Sequence, residues 1–282
     1  MTAENTPEPT TPDTIVLVHG FWVTPRSWEK WVERYESRGY RVLTPTYPGF
    51  EVEVEALRED PSPIEALTVP AIVEHLEGVI GELESPPIII GHSAGGLVTQ
   101  ILLDHGYGAA GVVIDSVPAE GIKVVPVSQI RSLFPFLRYP ANRHKAVGFT
   151  PEQFHYAFVN TLSREESDEV YERYYVPAPG NLVWGGATAS FTPGHQENYF
   201  NFTNEDRAPL LFIAGGEDNI MPPAVNESDA KHYRHTKSVT DYKEFPGRSH
   251  YIIGQDGWEE VADYALEWAA EHAATPRQPA TT

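Results

Sequence analysis

Cysteine is absent from all 282 residues of this sequence. Its absence excludes disulfide bonds, thiolate catalysis and cysteine-based metal sites. No apolar run approaches the roughly 18 residues that a membrane-spanning helix needs, so we expect no membrane span. The first 14 residues carry neither a basic nor an apolar stretch and are not typical of a secretory signal. These absences predict a cytoplasmic protein.

Positive charge is scarce. Lysine and arginine number 20 against 40 aspartate and glutamate residues, which gives a formal net charge of -20. A surface with this charge repels nucleic acid and anionic membranes, so we expect no nucleic-acid partner. Solubility is the ordinary explanation of the charge, and adaptation to salt is the alternative. The sequence predicts no particular oligomeric state.

Apolar residues are plentiful enough for a large core, because they make up 41% of the sequence and include 6 Trp, 14 Tyr and 12 Phe. Residues 14–118 alternate between short apolar runs, typical of buried strands, and amphipathic stretches, typical of helices. Continuous apolar strands indicate burial on both faces, as in a parallel sheet flanked by helices. Strands are predicted at 14–20, 40–48, 87–92 and 109–118, and helices at 25–39, 69–84 and 94–106.

The alternation stops at residue 119 and resumes at residue 207. The intervening segment is rich in aromatic residues, with Thr150 and Ser163 as predicted N-caps of two helices. We predict an α/β fold with a mostly parallel sheet of about six strands. The predicted core comprises 14–118 and 207–273, a helical lid spans 119–206 after the fourth strand, and disordered tails span 1–13 and 274–282.

The pentapeptide Gly-His-Ser-Ala-Gly at residues 91–95 joins the third predicted strand to the third predicted helix. The pattern Gly-x-Ser-x-Gly in this context is typical of a nucleophile elbow, a strained turn that presents a serine. Its glycines let strand and helix approach closely, and the helix N-terminus favours developing negative charge. We predict that Ser93 is a nucleophile. The alternative is a glycine-rich turn with a surface serine.

A serine nucleophile needs a base that a carboxylate orients. His250 follows the last predicted strand in a glycine-containing loop, and Asp218 follows the preceding strand. The chain order serine, acid, histidine is the order that this architecture uses. Glu217 and Asp115, which ends the fourth strand, are the alternative acids. His92 is predicted to pack or bond locally because it adjoins Ser93.

An oxyanion hole needs two N–H donors. We predict the backbone N–H groups of Ala94 and Phe21, with Trp22 as the next candidate after Phe21. His19, in the same loop as Phe21, is predicted to be a structural histidine that bonds within its loop.

Four segments, LVHGFW, GHSAGG, GGEDNIMP and GRSH, together resemble the α/β-hydrolase superfamily in its lipase- and esterase-like branch. The resemblance covers residues 14–272. It implies an eight-stranded, mostly parallel sheet with a lid after the strand that ends at Asp115. In this sequence about a dozen residues precede the predicted strand at 14–20, which are too few to form the two antiparallel strands with which the family's sheet usually begins. The sequence therefore resembles the compact six-stranded branch, which includes plant-type esterases and hydroxynitrile lyases.

Motifs for metal and nucleotide binding are absent from the sequence, so we expect no cofactor and no metal. His232 and His235 lie three residues apart on a predicted helix, but no carboxylate completes a ligand set, and surface histidines are the expected interpretation.

These patterns predict a serine esterase that forms an acyl-enzyme on Ser93, with a small-molecule ester as its partner. The aromatic lid predicts a pocket for a medium-sized hydrophobic or aromatic ester. Amide, carbamate or lactone hydrolysis, carbon–carbon cleavage and acyl transfer remain alternatives on the same triad, because a fold does not determine a reaction. A hydroxynitrile lyase, with Lys123 or Lys145 in the lid, and a non-catalytic receptor are further alternatives. The predicted pocket residues are Trp22, Phe134, Phe158 and Trp184.

Overall fold

A computed structural model describes residues 12–273 of the chain. The predicted tails, 1–13 and 274–282, lie outside the described residues except for residues 12 and 13. Within the described part of the chain, no helix has both the length and the hydropathy that a membrane crossing requires.

Six parallel strands form the central sheet, in the order β2-β1-β3-β4-β7-β8, and a two-stranded antiparallel ribbon pairs β5 with β6. The strands are β1 (Thr14–Val18), β2 (Arg41–Leu43), β3 (Ile88–His92), β4 (Ala110–Ile114), β5 (Ala146–Val147), β6 (Ala178–Pro179), β7 (Leu210–Gly215) and β8 (Thr240–Phe245). All residues of β1, β3, β4 and β7 are buried. The predicted six-stranded parallel sheet, with apolar strands buried on both faces, is confirmed.

Residues 12–273 contain ten α-helices, of which four lie in the chain between β4 and β7. They are α1 (Glu29–Glu36), α2 (Val54–Glu59), α3 (Val69–Gly81), α4 (Ala94–Asp104), α5 (Val127–Leu137), α6 (Pro151–Phe158), α7 (Arg164–Tyr174), α8 (Gly180–Thr188), α9 (Pro223–His232) and α10 (Trp258–Ala273). Of these, α4 packs on β3 and β4, α9 on β7 and β8, and α10 on β3, β4 and β7. The central strands are therefore enclosed by helices.

Two of the predicted elements are shorter than expected. The strand predicted at 40–48 ends at Leu43, and Pro45, which has no N–H for a ladder, follows closely. The helix predicted at 25–39 begins as a 3-10 turn over Pro25–Trp28 and is α-helical only over Glu29–Glu36. Helices α2, α5 and α8 were not predicted from the sequence.

The segment 119–206, here called the cap segment, contains helices α5 to α8 and the ribbon. Thr150 and Ser163 cap α6 and α7 as predicted, and each forms a reciprocal capping box with the third residue of its helix. The Arg173 guanidinium lies 2.6 Å from the Glu29 carboxylate and joins the segment to the core. That the segment moves as a lid remains a prediction.

Two glycines allow α4 to approach β3 and β1 more closely than a side chain would permit. A Cβ on Gly91 would lie 2.1 Å from the carbonyl oxygen of Gly95, and a Cβ on Gly95 would lie 2.2 Å from that of Val18. Both contacts are with backbone, which cannot swing aside as a side chain can. The glycines of the Gly-x-Ser-x-Gly pattern are therefore required by packing.

We predict that Gly91→Ala lowers the free energy of unfolding by about 3 kcal/mol or prevents folding, because overpacking against backbone forces the sheet and helix apart. Gly78→Ala is the matched control. A Cβ on Gly78, in α3, would meet open space, so alanine there should stabilise by about 0.5–1 kcal/mol. Urea unfolding monitored by circular dichroism measures both. Equal stability of the two variants would contradict the packing argument.

Candidate active site

Ser93 lies in a strained turn between β3 and α4. Its φ and ψ are 55° and -119°, a region that side chains other than glycine rarely adopt. The turn is held by backbone bonds: the Ser93 N–H donates to the Ile114 carbonyl at 2.9 Å, and the Ser93 carbonyl accepts from the Gly96 and Val117 N–H groups. The strain and these bonds fix the direction in which the Ser93 side chain points.

His250 and Asp218 form a completely buried pair, with Nδ1 of the histidine 2.6 Å from Oδ2 of the aspartate. The other carboxylate oxygen, Oδ1, accepts bonds from the N–H groups of Ile220 at 2.7 Å and Met221 at 2.8 Å. These two donors come from the turn that leads into α9. The Asp218 carboxylate is thus held at both oxygens.

The second ring nitrogen of His250, Nε2, is buried and has no hydrogen-bond partner among residues 12–273. Ser93 is also buried, with only 1% of its surface exposed. Hydrogen bonds between a nucleophile and its base are often long without substrate and tighten when substrate binds.

The two alternative acids lie in very different surroundings. The Glu217 side chain points to solvent, whereas the Asp115 side chain is fully buried and accepts a 2.7 Å bond from the Gly215 N–H. Burial, reinforced by the negative charge of Asp218, raises the pKa of Asp115 well above its ordinary value. The structure therefore offers two buried carboxyl groups, Asp115 and Asp218, and only Asp218 is bonded to His250.

The predicted oxyanion donor Phe21 lies in the loop after β1, and the other predicted donor, Ala94, begins α4. Trp22 in this loop has a φ of 62°, and its carbonyl accepts a 3.0 Å bond from the N–H of Val176 in the cap segment. No described residue accepts a hydrogen bond from the N–H of Phe21 or of Ala94. Two free donors thus lie in the loop after β1 and at the start of α4, and the cap segment holds the first of these elements in place.

His19 bonds within the same loop, as predicted, with Nδ1 2.8 Å from the Gly20 carbonyl oxygen. Its ring also stacks on Tyr47, whose hydroxyl donates to the His19 carbonyl at 2.6 Å. Burial lowers the pKa of His19 to about 4, so it is neutral at pH 7 and adds no positive charge beside the donors.

Two cavities border these donors. The larger has a volume of about 240 Å³ and an almost wholly apolar wall, which includes Phe21, Trp22, Leu133, Phe134, Leu182 and Met221. The smaller, of about 180 Å³, is bordered by Ala94 and reaches the polar residues Asn181 and Asn198. Phe21, Val117, Leu182 and Gly186 border both, so the cavities meet beside the predicted oxyanion loop.

Comparison with known sequences identifies the family. A profile described as the alpha/beta hydrolase family matches residues 15–264 of the chain. The chain belongs to the alpha/beta hydrolase family. This confirms the resemblance that the motifs indicated. No curated protein sequence matches the chain significantly.

Solved structures share the fold. An extracellular α/β-hydrolase from a Paenibacillus species, described as sharing homology with tobacco salicylic acid binding protein 2, is 20% identical with a TM-score of 0.67 over 91% of this chain and 98% of its own. A pyrethroid hydrolase from Sphingobium faniae is 19% identical with a TM-score of 0.68 over 94% and 100%. A monoacylglycerol lipase from Paleococcus ferrophilus is 21% identical with a TM-score of 0.63 over 93% and 96%. Identities this low establish the fold alone.

In this α/β hydrolase, His92 and Phe158 brace the His250 loop. The His92 Nε2 lies 2.9 Å from the His250 carbonyl oxygen, and burial lowers the pKa of His92 well below its ordinary value. The Phe158 ring packs edge-on at 4.6 Å from the His250 ring, and the Phe158 carbonyl accepts a bond from the Tyr251 N–H. The Phe158 side chain is fully buried beside the histidine and borders neither of the two cavities, and its predicted pocket role remains a prediction.

Trp22 and Phe134 border the larger cavity as predicted, but Trp184 borders neither cavity. The Trp184 ring instead faces the Arg143 guanidinium at 5.5 Å, and its predicted pocket role also remains a prediction. Aromatic composition could predict that a pocket exists in the cap segment. It could not assign individual rings, because that depends on how α5 and α8 pack.

One group of side chains among residues 12–273 has the spacing of a metal site: His92, Asp115 and His250, with ligand atoms within 4.8 Å of one another. Each of the three already holds a hydrogen bond, to the His250 carbonyl, the Gly215 N–H and Asp218 respectively. These bonds use one atom of each residue, and His92 Nδ1, Asp115 Oδ2 and His250 Nε2 have no hydrogen-bond partner among the described residues. His232 and His235 lie on the surface, in keeping with the sequence interpretation.

We predict that Asp218→Asn lowers kcat for ester hydrolysis by about 10⁴-fold, because an amide no longer holds the histidine in its working tautomer. Asp115→Asn is the matched control and should stay within about tenfold of the wild type, since asparagine retains an oxygen acceptor for Gly215. Initial rates on one ester at saturating concentration measure both. A larger loss in the Asp115 variant would assign the acid to Asp115.

Asp115 also gives a test of how stability depends on pH. An aspartate whose pKa is raised on folding contributes stability at low pH that is lost as pH rises through the raised pKa. Asp115→Asn removes this loss, so its stability relative to the wild type should increase as the pH rises above the ordinary pKa of an aspartate towards the raised pKa of Asp115. Urea unfolding at a series of pH values measures the difference, and a difference that does not change with pH would contradict a raised pKa for the buried Asp115.

Proposed function

We propose that this α/β hydrolase is a serine esterase that cleaves a medium-sized hydrophobic or aromatic carboxylic ester through an acyl-enzyme on Ser93. The observation that carries the proposal is the buried His250–Asp218 pair, whose Nε2 has no hydrogen-bond partner among the described residues, together with the strained turn that holds the buried Ser93. A surface serine in a glycine-rich turn would require neither the strain nor the buried pair.

The proposed reaction begins with proton transfer from Ser93 Oγ to Nε2 of His250 as the oxygen attacks the ester carbonyl. An ionised carboxylate can only accept hydrogen bonds, so the Asp218 contact fixes the proton of neutral His250 on Nδ1 and leaves the Nε2 lone pair free. The imidazolium then protonates the departing alcohol. Water, deprotonated by the same nitrogen, hydrolyses the acyl-enzyme and regenerates Ser93.

Negative charge on the tetrahedral intermediate would be stabilised by the N–H groups of Phe21 and Ala94. Both donors are free of other partners among the described residues. A donor already fixed by the fold loses little free energy in reorganising when charge develops, and one such donor contributes about 10²–10³-fold to kcat. The bond from Val176 to Trp22 supports this pre-organisation, because it anchors the residue next to Phe21.

Two features support a hydrophobic ester as the substrate. The larger cavity has a mostly apolar wall, which suits an alkyl or aromatic group. The cavities meet at Phe21, so a carbonyl bound there could extend one substituent into each. The solved relatives named above include a lipase and a hydrolase of pyrethroids, which agrees with this class of substrate.

The test is hydrolysis of p-nitrophenyl esters of increasing acyl length by the wild type and by Ser93→Ala. We expect the wild type to prefer medium-length acyl groups, and Ser93→Ala to lose at least about 10³-fold in kcat because no nucleophile remains. Equal turnover by both proteins would remove Ser93 from the mechanism. Inactivity of both proteins would contradict simple ester hydrolysis and direct the search to amides, carbamates or lactones.

A further inference from the structure

Helix α5 exposes an apolar face to solvent. Val127 is 81% exposed, Ile130 50% and Phe134 55%, and the 3.6-residue period places all three on one side of the helix. The opposite side supplies the buried Leu133 and Phe136. The helix therefore needs only one of its two apolar sides for the fold.

The exposed side belongs to a larger apolar surface. Of the ten large hydrophobic side chains that are exposed among residues 12–273, six lie between residues 124 and 139. We define the docking face as Val124, Val125, Val127, Ile130, Phe134 and Phe191. All of these except Val127 also border the larger cavity, so the cavity opens within the docking face.

The charge around the docking face is opposite to that of the rest of the protein. Residues 121–151 contain five lysines and arginines and no aspartate or glutamate, in a chain with a net charge of -20. Arg131 and Arg138 occupy the same side of α5 as the exposed apolar residues, and Lys123, Arg143 and Lys145 are exposed nearby. Within the described residues, none of these five forms an ion pair with a carboxylate.

We propose that the docking face binds an anionic lipid–water interface, with the larger cavity opening towards the lipid. Apolar side chains interleaved with cations suit the boundary between acyl chains and negatively charged headgroups. A cavity that opens within the face would receive an amphiphile directly from that surface. The net charge of -20 disfavours any orientation that turns the acidic surface towards anionic lipid. The five cations without a carboxylate partner therefore favour the orientation in which the docking face meets the lipid.

Flotation of the full-length protein with vesicles tests the proposal. The probes are phosphatidylcholine vesicles with and without about one-third phosphatidylglycerol, because only the second carries surface charge. We expect at least about fivefold more protein on the charged vesicles, and at least about fivefold loss of that binding when NaCl rises from about 0.05 M to about 0.5 M.

Two variants with matched controls locate the interaction. Val127→Asp places a charge on the docking face at a residue that does not border the cavity, and Val52→Asp makes the same change at another exposed valine. Lys123→Gln/Arg131→Gln removes two charges near the face, and Arg41→Gln/Lys237→Gln removes two elsewhere. We expect each face variant to lose at least about fivefold in vesicle binding and each control to match the wild type.

Equal binding to both vesicle types, absence of binding, or equal loss in variants and controls would overturn the proposal. Analytical ultracentrifugation covers a further outcome: self-association that Val127→Asp abolishes, without vesicle binding, would assign the face to a second copy of this chain. Binding is measured without catalysis and can be repeated with Ser93→Ala. Failure of docking is therefore distinguishable from failure of the proposed esterase activity.

Discussion

The close approach of α4 to the neighbouring strands β3 and β1 is the constraint on which the site depends. Gly91 permits the approach to β3 and Gly95 the approach to β1, since a Cβ at either would meet backbone at little more than 2 Å. The chain must then reverse within one residue, and Ser93 takes the strained conformation. Tertiary packing offsets the cost of about 1–3 kcal/mol that such a backbone carries. The position of the proposed nucleophile is thus a consequence of how the sheet meets the helix.

Buried polar groups from four strand ends gather in this part of the fold. Asp218 is bonded to His250 and the His250 carbonyl to His92, whereas Asp115 is bonded separately to the last residue of β7. The four residues lie at or after the carboxyl ends of β3, β4, β7 and β8. Parallel strands bring these ends to one edge of the sheet. Low dielectric surroundings strengthen the bonds in such a network and make an unpaired member costly. The free Nε2 of His250 has no such bond, and the proposed reaction accounts for it.

The sequence predicted the parts of this structure that depend on local pattern. Ser93, Asp218 and His250 each come directly after a predicted parallel strand. Their position at one edge of the sheet could therefore be predicted. Contacts between distant segments were not predictable. Phe158 braces the histidine and Trp184 faces an arginine because of helix packing in the cap segment, which composition does not encode. Helix α5 was missed because it contains Pro135 and is apolar on two sides, which hides the helical period.

Covalent labelling with a fluorophosphonate, which reacts with activated serines, is the most direct test of whether Ser93 is the nucleophile. Proteolysis and mass spectrometry then locate the label. The account predicts one adduct per chain, on the peptide that contains Ser93, with much slower labelling in Asp218→Asn because its histidine is misoriented. An adduct on a different serine, or an unlabelled protein that still hydrolyses esters, would contradict the account.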